Sequence, residues 1–279
     1  MFDMNVAGKT DVGLLRTNNE DNFAIDGSLL IVADGMGGAV AGEVASSIAV
    51  STISELLGDV QFTTDDETAR KIDQAIKAAD EEIKARIRIK PVLEGMGTTV
   101  VVLKHFGDRV LIGNIGDSRA YLISNSAAGA ARSAPPSTSA ADANAQTAIL
   151  MPVDLDAPKK TAGSIRRITE DHSVVMDLVK SGVITEDEIR THPLRNRITK
   201  CVGSLRKDAT DTTWLDVHDN DVIIMCSDGL WELVHEDIIL AVVSSSHSME
   251  EACSRLIDAA NDAGGLDNIT VIAAQFIQK

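Results

Sequence analysis

Residues 29–38 read LLIVADGMGG, an apolar run of β type that ends in an aspartate followed by three glycines in four residues. Residues 222–229, VIIMCSDG, have the same form. Each segment predicts a buried strand that carries Asp34 or Asp228 to its end, where glycine lets the backbone approach a ligand closely. Hard divalent cations prefer carboxylate and carbonyl oxygens as ligands. The two segments therefore suggest a metal site at the ends of strands.

The composition of the 279 residues, with 44% hydrophobic residues, is that of a globular protein long enough for one large core. The net charge of −16 argues against nucleic acid or an anionic membrane as the main partner. The three cysteines form no CxxC pair and no disulfide framework, which favours a reducing compartment. Residues 1–5 do not resemble the start of a signal peptide, and no apolar run approaches the roughly 18 residues of a membrane span. We predict a cytoplasmic protein.

Helices and strands follow from hydrophobic periodicity. Helices are predicted at residues 41–57, 64–90, 174–181, 185–191, 236–243 and 248–262. Thr64 and Glu67 have the spacing of a capping box at the start of the longest helix. Strands at 98–103, 110–115 and 120–123 are predicted to be adjacent and antiparallel. One mixed sheet system with flanking helices is the simplest architecture.

Residues 124–164 interrupt this pattern, because they are mostly small, polar or proline residues. Such a composition buries too little apolar surface to offset its ordering entropy, which predicts a flexible surface insertion. A linker between two domains is the alternative. The second half lacks a complete set of elements, so we favour a single domain over residues 1–279.

Further acidic residues stand in similar positions. Asp117 and Asp267 lie in glycine-bearing turns, and Glu20 and Asp21 belong to a polar cluster before a strand. Taken singly, each is more often a turn or cap residue. Packed together, such carboxylates raise one another's pKa values, whereas a pair of Mg²⁺ or Mn²⁺ ions would stabilise them.

Six segments appear in an order shared with a known family. They are residues 16–21 (RTNNED), 34–38 (DGMGG), 97–99 (GTT), 116–119 (GDSR), 227–229 (SDG) and 267–270 (DNIT). In these segments the chain resembles the bacterial type of the protein phosphatase 2C family, which are metal-dependent protein serine/threonine phosphatases. The resemblance spans residues 7–276 apart from the insertion. It implies an α+β fold, a four-layer α-β-β-α sandwich with two central antiparallel sheets flanked by helices.

The resemblance also implies a two-metal centre at one end of the sandwich and assigns roles to individual residues. The oxygen ligands would be Asp21, Asp34, Asp228, Asp267 and the Gly35 carbonyl. Asp117, sharing Asp228, would help to bind a third and weaker ion. Glu20 and Asn268 are expected just outside the ligands, with Glu20 holding metal-bound water. Residues 173–200 would form a flap that influences substrate choice.

Catalysis would depend chiefly on Arg16, Asp34 and Asp228. A metal pair lowers the pKa of a bridging water, so hydroxide can attack the phosphorus. The planar fork of Arg16 matches phosphate oxygens, although a surface salt bridge to Glu20 or Asp21 is an alternative role. Met36, expected to serve for packing, stands where eukaryotic members often have a histidine that acts as general acid. His172 is expected to be structural.

The predicted function is hydrolysis of phosphoserine and phosphothreonine in proteins, opposing a cognate Ser/Thr kinase system. A binding module of the same fold without turnover is one alternative. A phosphatase for small phosphorylated metabolites is another, and the flap with Arg195, Arg197 and Lys200 would then decide the substrate class. The resemblance favours a monomer.

Overall fold

The computed structural model describes residues 1–37, 41–58, 60, 64–124, 163–205 and 209–279. The predicted insertion at 124–164 lies almost wholly outside these residues. The strands are β1 (Phe2–Asp11), β2 (Asp21–Asp26), β3 (Leu29–Met36), β4 (Gly97–Thr98), β5 (Val100–Phe106), β6 (Arg109–Ile115), β7 (Arg119–Ser124), β8 (Ser164–Arg167), β9 (Asp211–Asp216), β10 (Val222–Cys226) and β11 (Ile269–Gln278). The α-helices are α1 (Ala41–Leu57), α2 (Asp65–Ile89), α3 (Val174–Lys180), α4 (Asp228–Trp231), α5 (Glu236–Ser245) and α6 (Met249–Asp262).

These strands form two sheets. The first has the order β1-β11-β10-β7-β8, and the second has the order β2-β3-β5-β6-β9 with β4 paired to β3. Every pairing is antiparallel. The two-sheet sandwich is thus confirmed, and the expectation of one mixed sheet is wrong.

The three strands predicted to be adjacent are divided between the sheets. β5 and β6 are neighbours in the second sheet, whereas β7 pairs with β10 in the first. The turn between β6 and β7 contains Gly116 at φ +103°, a backbone conformation that side chains disfavour. The chain therefore crosses from one sheet to the other at this turn, which a strand pattern alone does not show.

The four layers follow from side chains that alternate along each strand. In β3, Leu30 and Val32 pack between the sheets, whereas Leu29 and Ile31 face α1 and α2. The first sheet packs its outer face against α3, α4, α5 and α6. Both faces of β3 are buried, which explains why its sequence is continuously apolar rather than alternating.

Five of the six predicted helices match α-helices of the structure, whereas the short helix α4 (Asp228–Trp231) was not predicted. Thr64 caps α2 by accepting a hydrogen bond from the Glu67 N–H, and Ile72 and Ile76 are fully buried on its inner face. The sixth, predicted at residues 185–191, is a 3₁₀ helix at Glu186–Thr191. Among the described residues, no helix is long and apolar enough to cross a membrane.

The two ends of the chain meet in one sheet. β1 pairs with β11 along its full length, from Phe2 opposite Gln278 to Asp11 opposite Ile269. This register places the polar cluster that follows β1 beside the turn that precedes β11. Residues more than 240 positions apart in sequence therefore come together at one end of the sandwich.

Candidate active site

A cavity of about 420 Å³ lies where β3, β6 and β10 end and β11 begins. Among the residues predicted for the site, it is lined by Arg16, Glu20, Asp34, Gly35, Asp117, Asp228, Asp267 and Asn268. The remaining predicted residue, Asp21, does not line the cavity and is buried behind it. The structure thus gathers the predicted residues from five separate segments of the chain.

Asp34 lies within a strand rather than just beyond one. β3 continues to Met36 because Gly35 and Met36 pair with Thr98 and Gly97 of β4. The Asp34 N–H donates to the Thr99 hydroxyl at 3.0 Å, and the Thr99 N–H donates to the Asp34 carbonyl at 2.8 Å. The expectation that the strand ends at the aspartate was therefore wrong, and the two hydrogen bonds to Thr99 fix the backbone of Asp34 on that side of the strand.

Gly35 allows three segments to meet. A Cβ atom at this position would lie 2.2 Å from the Gly42 carbonyl oxygen and 2.5 Å from the Glu20 carbonyl oxygen. No side chain fits there, so glycine is required for β3, the Glu20 segment and α1 to pack at this distance. The same contact brings Glu20 to the wall of the cavity.

Two buried carboxylate oxygens in the site have no hydrogen-bond partner among the described residues, Asp21 Oδ1 and Asp228 Oδ1. The other oxygen of Asp21 accepts from the Ser227 hydroxyl at 2.7 Å, and that hydroxyl in turn accepts from the Thr270 N–H at 2.9 Å. Unpaired buried oxygens are costly, so their lone pairs are suited to a cation.

The electrostatics of the cavity favour added positive charge. Burial raises the pKa of Asp21 to about 6 and that of Asp117 to about 7. Burial also raises the pKa values of Asp34 and Asp228 well above the usual range. The negative charge of Asp228 raises the pKa of Asp34 further, and the negative charge of Asp117 raises that of Asp228. The cost of ionising these groups would fall if divalent cations lay among them.

These oxygens suit Mg²⁺ or Mn²⁺ by type, but within the described residues no three His, Cys, Asp or Glu side chains already form a metal-binding group. Arg16 is one reason why these carboxylates do not converge. Its Nη2 atom lies 2.6 Å from Asp267 Oδ2 and directs that carboxylate toward the guanidinium. The Asp267 carboxylate is thus paired with Arg16 rather than directed toward Asp34 and Asp228.

Arg16 stands at the edge of the cavity with half of its side chain exposed. Its ion-pair partner is Asp267 and not Glu20 or Asp21, so the alternative partners considered from the sequence were wrong. The guanidinium lines the cavity and retains donors for an incoming anion.

Asn268 joins the segments on either side of the site. Its Oδ1 accepts from the Glu20 N–H at 2.8 Å, and its Nδ2 donates to the carbonyls of Asn18 and Val12 at 2.8 and 2.9 Å. This side chain therefore holds the polar cluster against the turn before β11.

The side chains that hold the backbone of Asp117 in place were not predicted from the sequence. The Trp231 indole N–H donates to the Asp117 carbonyl at 3.0 Å, and the Arg119 guanidinium lies 3.5 Å from the centre of the indole ring. Arg119 is in turn held by Asp171 through three hydrogen bonds of 2.6 to 3.2 Å. The only sequence signal was the arginine in the GDSR segment, since nothing marked Trp231.

His172 has the structural role expected of it. The ring atom Nδ1 accepts a hydrogen bond from the Gly116 N–H at 3.0 Å, and the backbone N–H of His172 donates to the Gly116 carbonyl at 2.9 Å. Its Nε2 lies 3.0 Å from Asp211 Oδ2. Because Nδ1 is the acceptor, Nε2 carries the proton in the neutral ring. His172 thus fixes the turn that precedes Asp117.

The predicted flap reaches the cavity through Asn196 and Ile198. Its predicted basic patch is partly neutralised, because Arg195 lies 3.6 Å from Glu232 and Lys200 lies 3.8 Å from Asp211. Met36, expected to serve for packing, is half-buried and lines the cavity.

The sequence profile of protein phosphatase 2C matches residues 16–263. The chain belongs to the protein phosphatase 2C family. A curated relative in Mycobacterium tuberculosis, serine/threonine protein phosphatase PstP, is 32% identical over 97% of this chain, which spans 45% of that relative's length. Serine/threonine phosphatase stp of Listeria welshimeri is 31% identical, over 98% of this chain and 96% of the relative.

Solved structures of this protein phosphatase 2C family share the fold. The M. tuberculosis PstP structure superposes with a TM-score of 0.80 at 30% identity over the full length of both chains. A structure of the PstP catalytic domain in complex with two manganese ions gives 0.78 at 29% identity, again over both full chains. These matches confirm the four-layer sandwich.

Proposed function

We propose that this chain is a metal-dependent protein serine/threonine phosphatase that hydrolyses phosphoserine and phosphothreonine. The observation that carries the proposal is the cavity in which Asp34, Asp117, Asp228 and Asp267 meet Arg16. Such a collection of carboxylates is unfavourable without cations, and the Arg16 guanidinium suits an anionic phosphate. The names of the relatives in M. tuberculosis and L. welshimeri support the same activity.

Two Mg²⁺ or Mn²⁺ ions would be held by the carboxylates of Asp21, Asp34, Asp228 and Asp267 and by the Gly35 carbonyl. A third, weaker ion would use Asp117 and share Asp228. The unpartnered Oδ1 atoms of Asp21 and Asp228 support this assignment. When bound, such ions supply a nucleophile by lowering the pKa of water, and they offset the charge of the phosphate.

The residues of the chain bind and orient the substrate. Arg16 is to donate two parallel N–H groups to phosphate oxygens, in exchange for its contact with Asp267. Glu20 lines the cavity, and its carboxylate would orient water there. Met36 lines the same wall without a titratable proton and does not act as general acid.

Phosphorylated proteins, modified by a cognate Ser/Thr kinase system, are the proposed substrates. Arg16, Asp267 and the flap residues Asn196 and Ile198 all line the cavity, and a bound peptide would lie along these residues. We further propose a single catalytic domain, acting as a monomer in the cytoplasm. The net charge of −16 supports a partner other than nucleic acid or an anionic membrane.

The test is hydrolysis of synthetic phosphothreonine and phosphoserine peptides with Mn²⁺, followed by addition of a chelator. We expect turnover that the chelator abolishes and that Asp34→Asn lowers by at least about 100-fold. Asp66→Asn, an exposed aspartate of α2 outside the cavity, is the matched control and should retain activity.

Three outcomes would contradict the proposal. Peptide binding without turnover would favour a binding module, and hydrolysis confined to small phosphorylated metabolites would favour a metabolite phosphatase. Turnover that persists in the chelated enzyme would remove the metal from the account.

A further inference from the structure

Three exposed leucines stand one or two residues in sequence from Arg16 and Asp267, which line the cavity. Leu14 and Leu15 are 64% and 66% exposed, and Leu266 is 45% exposed. Single exposed leucines are common on protein surfaces, whereas neighbouring ones next to a binding cavity mark an interaction surface. We refer to these three residues as the rim patch.

The backbone holds the two halves of the rim patch together. The N–H groups of Leu14 and Leu15 donate to the Gly265 carbonyl at 2.8 and 3.2 Å. A Cβ atom on Gly265 would lie 2.8 Å from Leu14 Cγ, so Leu14 rests directly on this glycine. Leu266 follows Gly265 in the chain, so these backbone contacts hold the segment of Leu14 and Leu15 beside the segment of Leu266.

The rim patch adjoins the phosphate site in sequence and in space. Arg16 follows Leu15, Asp267 follows Leu266, and both polar residues line the cavity while joined by their 2.6 Å ion pair. Consecutive Cα atoms are about 3.8 Å apart, so the leucines stand one or two residues from groups of the site. In an extended peptide, the side chains next to a phosphorylated residue are likewise one or two residues away from it.

We propose that the rim patch binds an apolar side chain of the substrate, located one or two residues from the phosphorylated residue. This inference rests on the proposed phosphatase function and adds a sequence preference to it. The occupant is a substrate peptide because a phosphate bound at Arg16 brings the peptide residues on either side of it within one or two residue lengths of Leu14 and Leu15.

Other occupants fit the rim patch less well. A stable dimer interface needs about 20 to 30 residues on each side, far more than three leucines. An anionic membrane surface is disfavoured by the net charge of −16. A short peptide segment matches the small size of the rim patch.

The experiment compares phosphothreonine peptides that differ only in having leucine or serine at the two positions on each side of the phosphorylated residue. We expect the wild-type chain with Mn²⁺ to give a kcat/KM about five- to tenfold higher for a leucine-flanked peptide, a range set by the burial of part of one leucine. In the double variant Leu14→Ser, Leu15→Ser this ratio should fall to within about twofold of one.

Two readouts keep the test specific. Hydrolysis of para-nitrophenyl phosphate reports on the phosphate site alone; a change at that site alters kcat/KM for both peptides equally and cancels in their ratio. Ile89→Ser removes an 81% exposed apolar side chain at the end of α2, outside the cavity lining, and should keep the full leucine preference. Thermal unfolding checks that each variant is folded.

The proposal is overturned if the wild-type chain shows no leucine preference, or if the double variant keeps it. It is also overturned if the double variant loses activity equally on both peptides and on para-nitrophenyl phosphate, since the leucines would then only position Arg16. Concentration-dependent dimerisation that the double variant abolishes would assign the rim patch to a second copy. In each case, hydrolysis of the serine-flanked peptide still reports separately on the phosphatase function.

Discussion

The ion pair between Arg119 and Asp171 should be among the most consequential contacts beneath the cavity. The two side chains are 4% and 1% exposed, and the Nε and Nη2 atoms of Arg119 both donate hydrogen bonds to the Asp171 carboxylate. Asp171→Ala leaves a buried guanidinium without its counter-charge. Removing one partner of a buried pair costs about 3–5 kcal/mol, so we expect a loss of this size in the free energy of unfolding.

Urea denaturation measures this loss directly. The matched control is Asp65→Ala, because Asp65 pairs with Arg109 at 2.7 Å with side chains that are 56% and 36% exposed. An exposed pair contributes about 0–1 kcal/mol, so the control should lose no more than that. The double variant Arg119→Met, Asp171→Leu should lose less than the sum of its single variants, because neither charge is left alone.

The same perturbation reaches the site. Arg119 lies against Trp231, and the Trp231 N–H holds the Asp117 carbonyl. Asp117 is proposed to help bind the third, weaker ion. We therefore expect Asp171→Ala to reduce the increase in activity that wild-type protein shows when the Mn²⁺ concentration is raised. A loss of less than about 1 kcal/mol in Asp171→Ala, or additive single variants, would refute the reasoning.

Three further predictions concern the site. Arg16→Lys keeps the charge but not the planar fork, so kcat/KM for a phosphopeptide should fall by at least about tenfold, and an unchanged value would show that charge alone suffices. In the metal-free protein, the pKa values of Asp21 at about 6 and Asp117 at about 7 exceed the ordinary 3.8, so the free energy of unfolding should fall as the pH rises from 5 to 8, by roughly 1 kcal/mol for Asp21 and roughly 2 to 3 kcal/mol for Asp117. Thermal unfolding with a chelator should show this fall, and Mn²⁺ should raise the melting temperature more at pH 8 than at pH 5; a flat or opposite profile would contradict it. Gly35→Ala places a Cβ atom 2.2 Å from the Gly42 carbonyl oxygen and should destabilise the chain by more than about 3 kcal/mol in urea denaturation, whereas Gly27→Ser, with open space around the Cβ position, should be much milder despite its φ of +55°.

Local chemistry made much of the fold predictable. The buried stripe and capping threonine of α2 are both visible as periodicity and spacing in the sequence. The partition of strands between two sheets was not visible, because strand pairing depends on contacts distant in sequence. β7 joins β10 rather than its chain neighbour β6, and only the left-handed backbone of Gly116 hints at the crossing.

The candidate site divides in the same way. Asp34, Asp228 and Asp267 could be selected because each stands beside an apolar strand and a glycine. Trp231 could not be selected, because its contribution is a single hydrogen bond to a backbone carbonyl across 114 positions. The pairing of Arg16 with Asp267 was also missed, because the sequence offered the nearer partners Glu20 and Asp21.

Calorimetric titration of Mn²⁺ into the metal-free chain tests the central claim most directly. If aspartates from distant segments hold the ions together, the wild-type chain should bind at least two ions, and Asp228→Asn should lose most of that binding while remaining folded. Asp66→Asn should bind as the wild type does. Absence of binding to the wild-type chain, or equal binding by Asp228→Asn, would contradict the account.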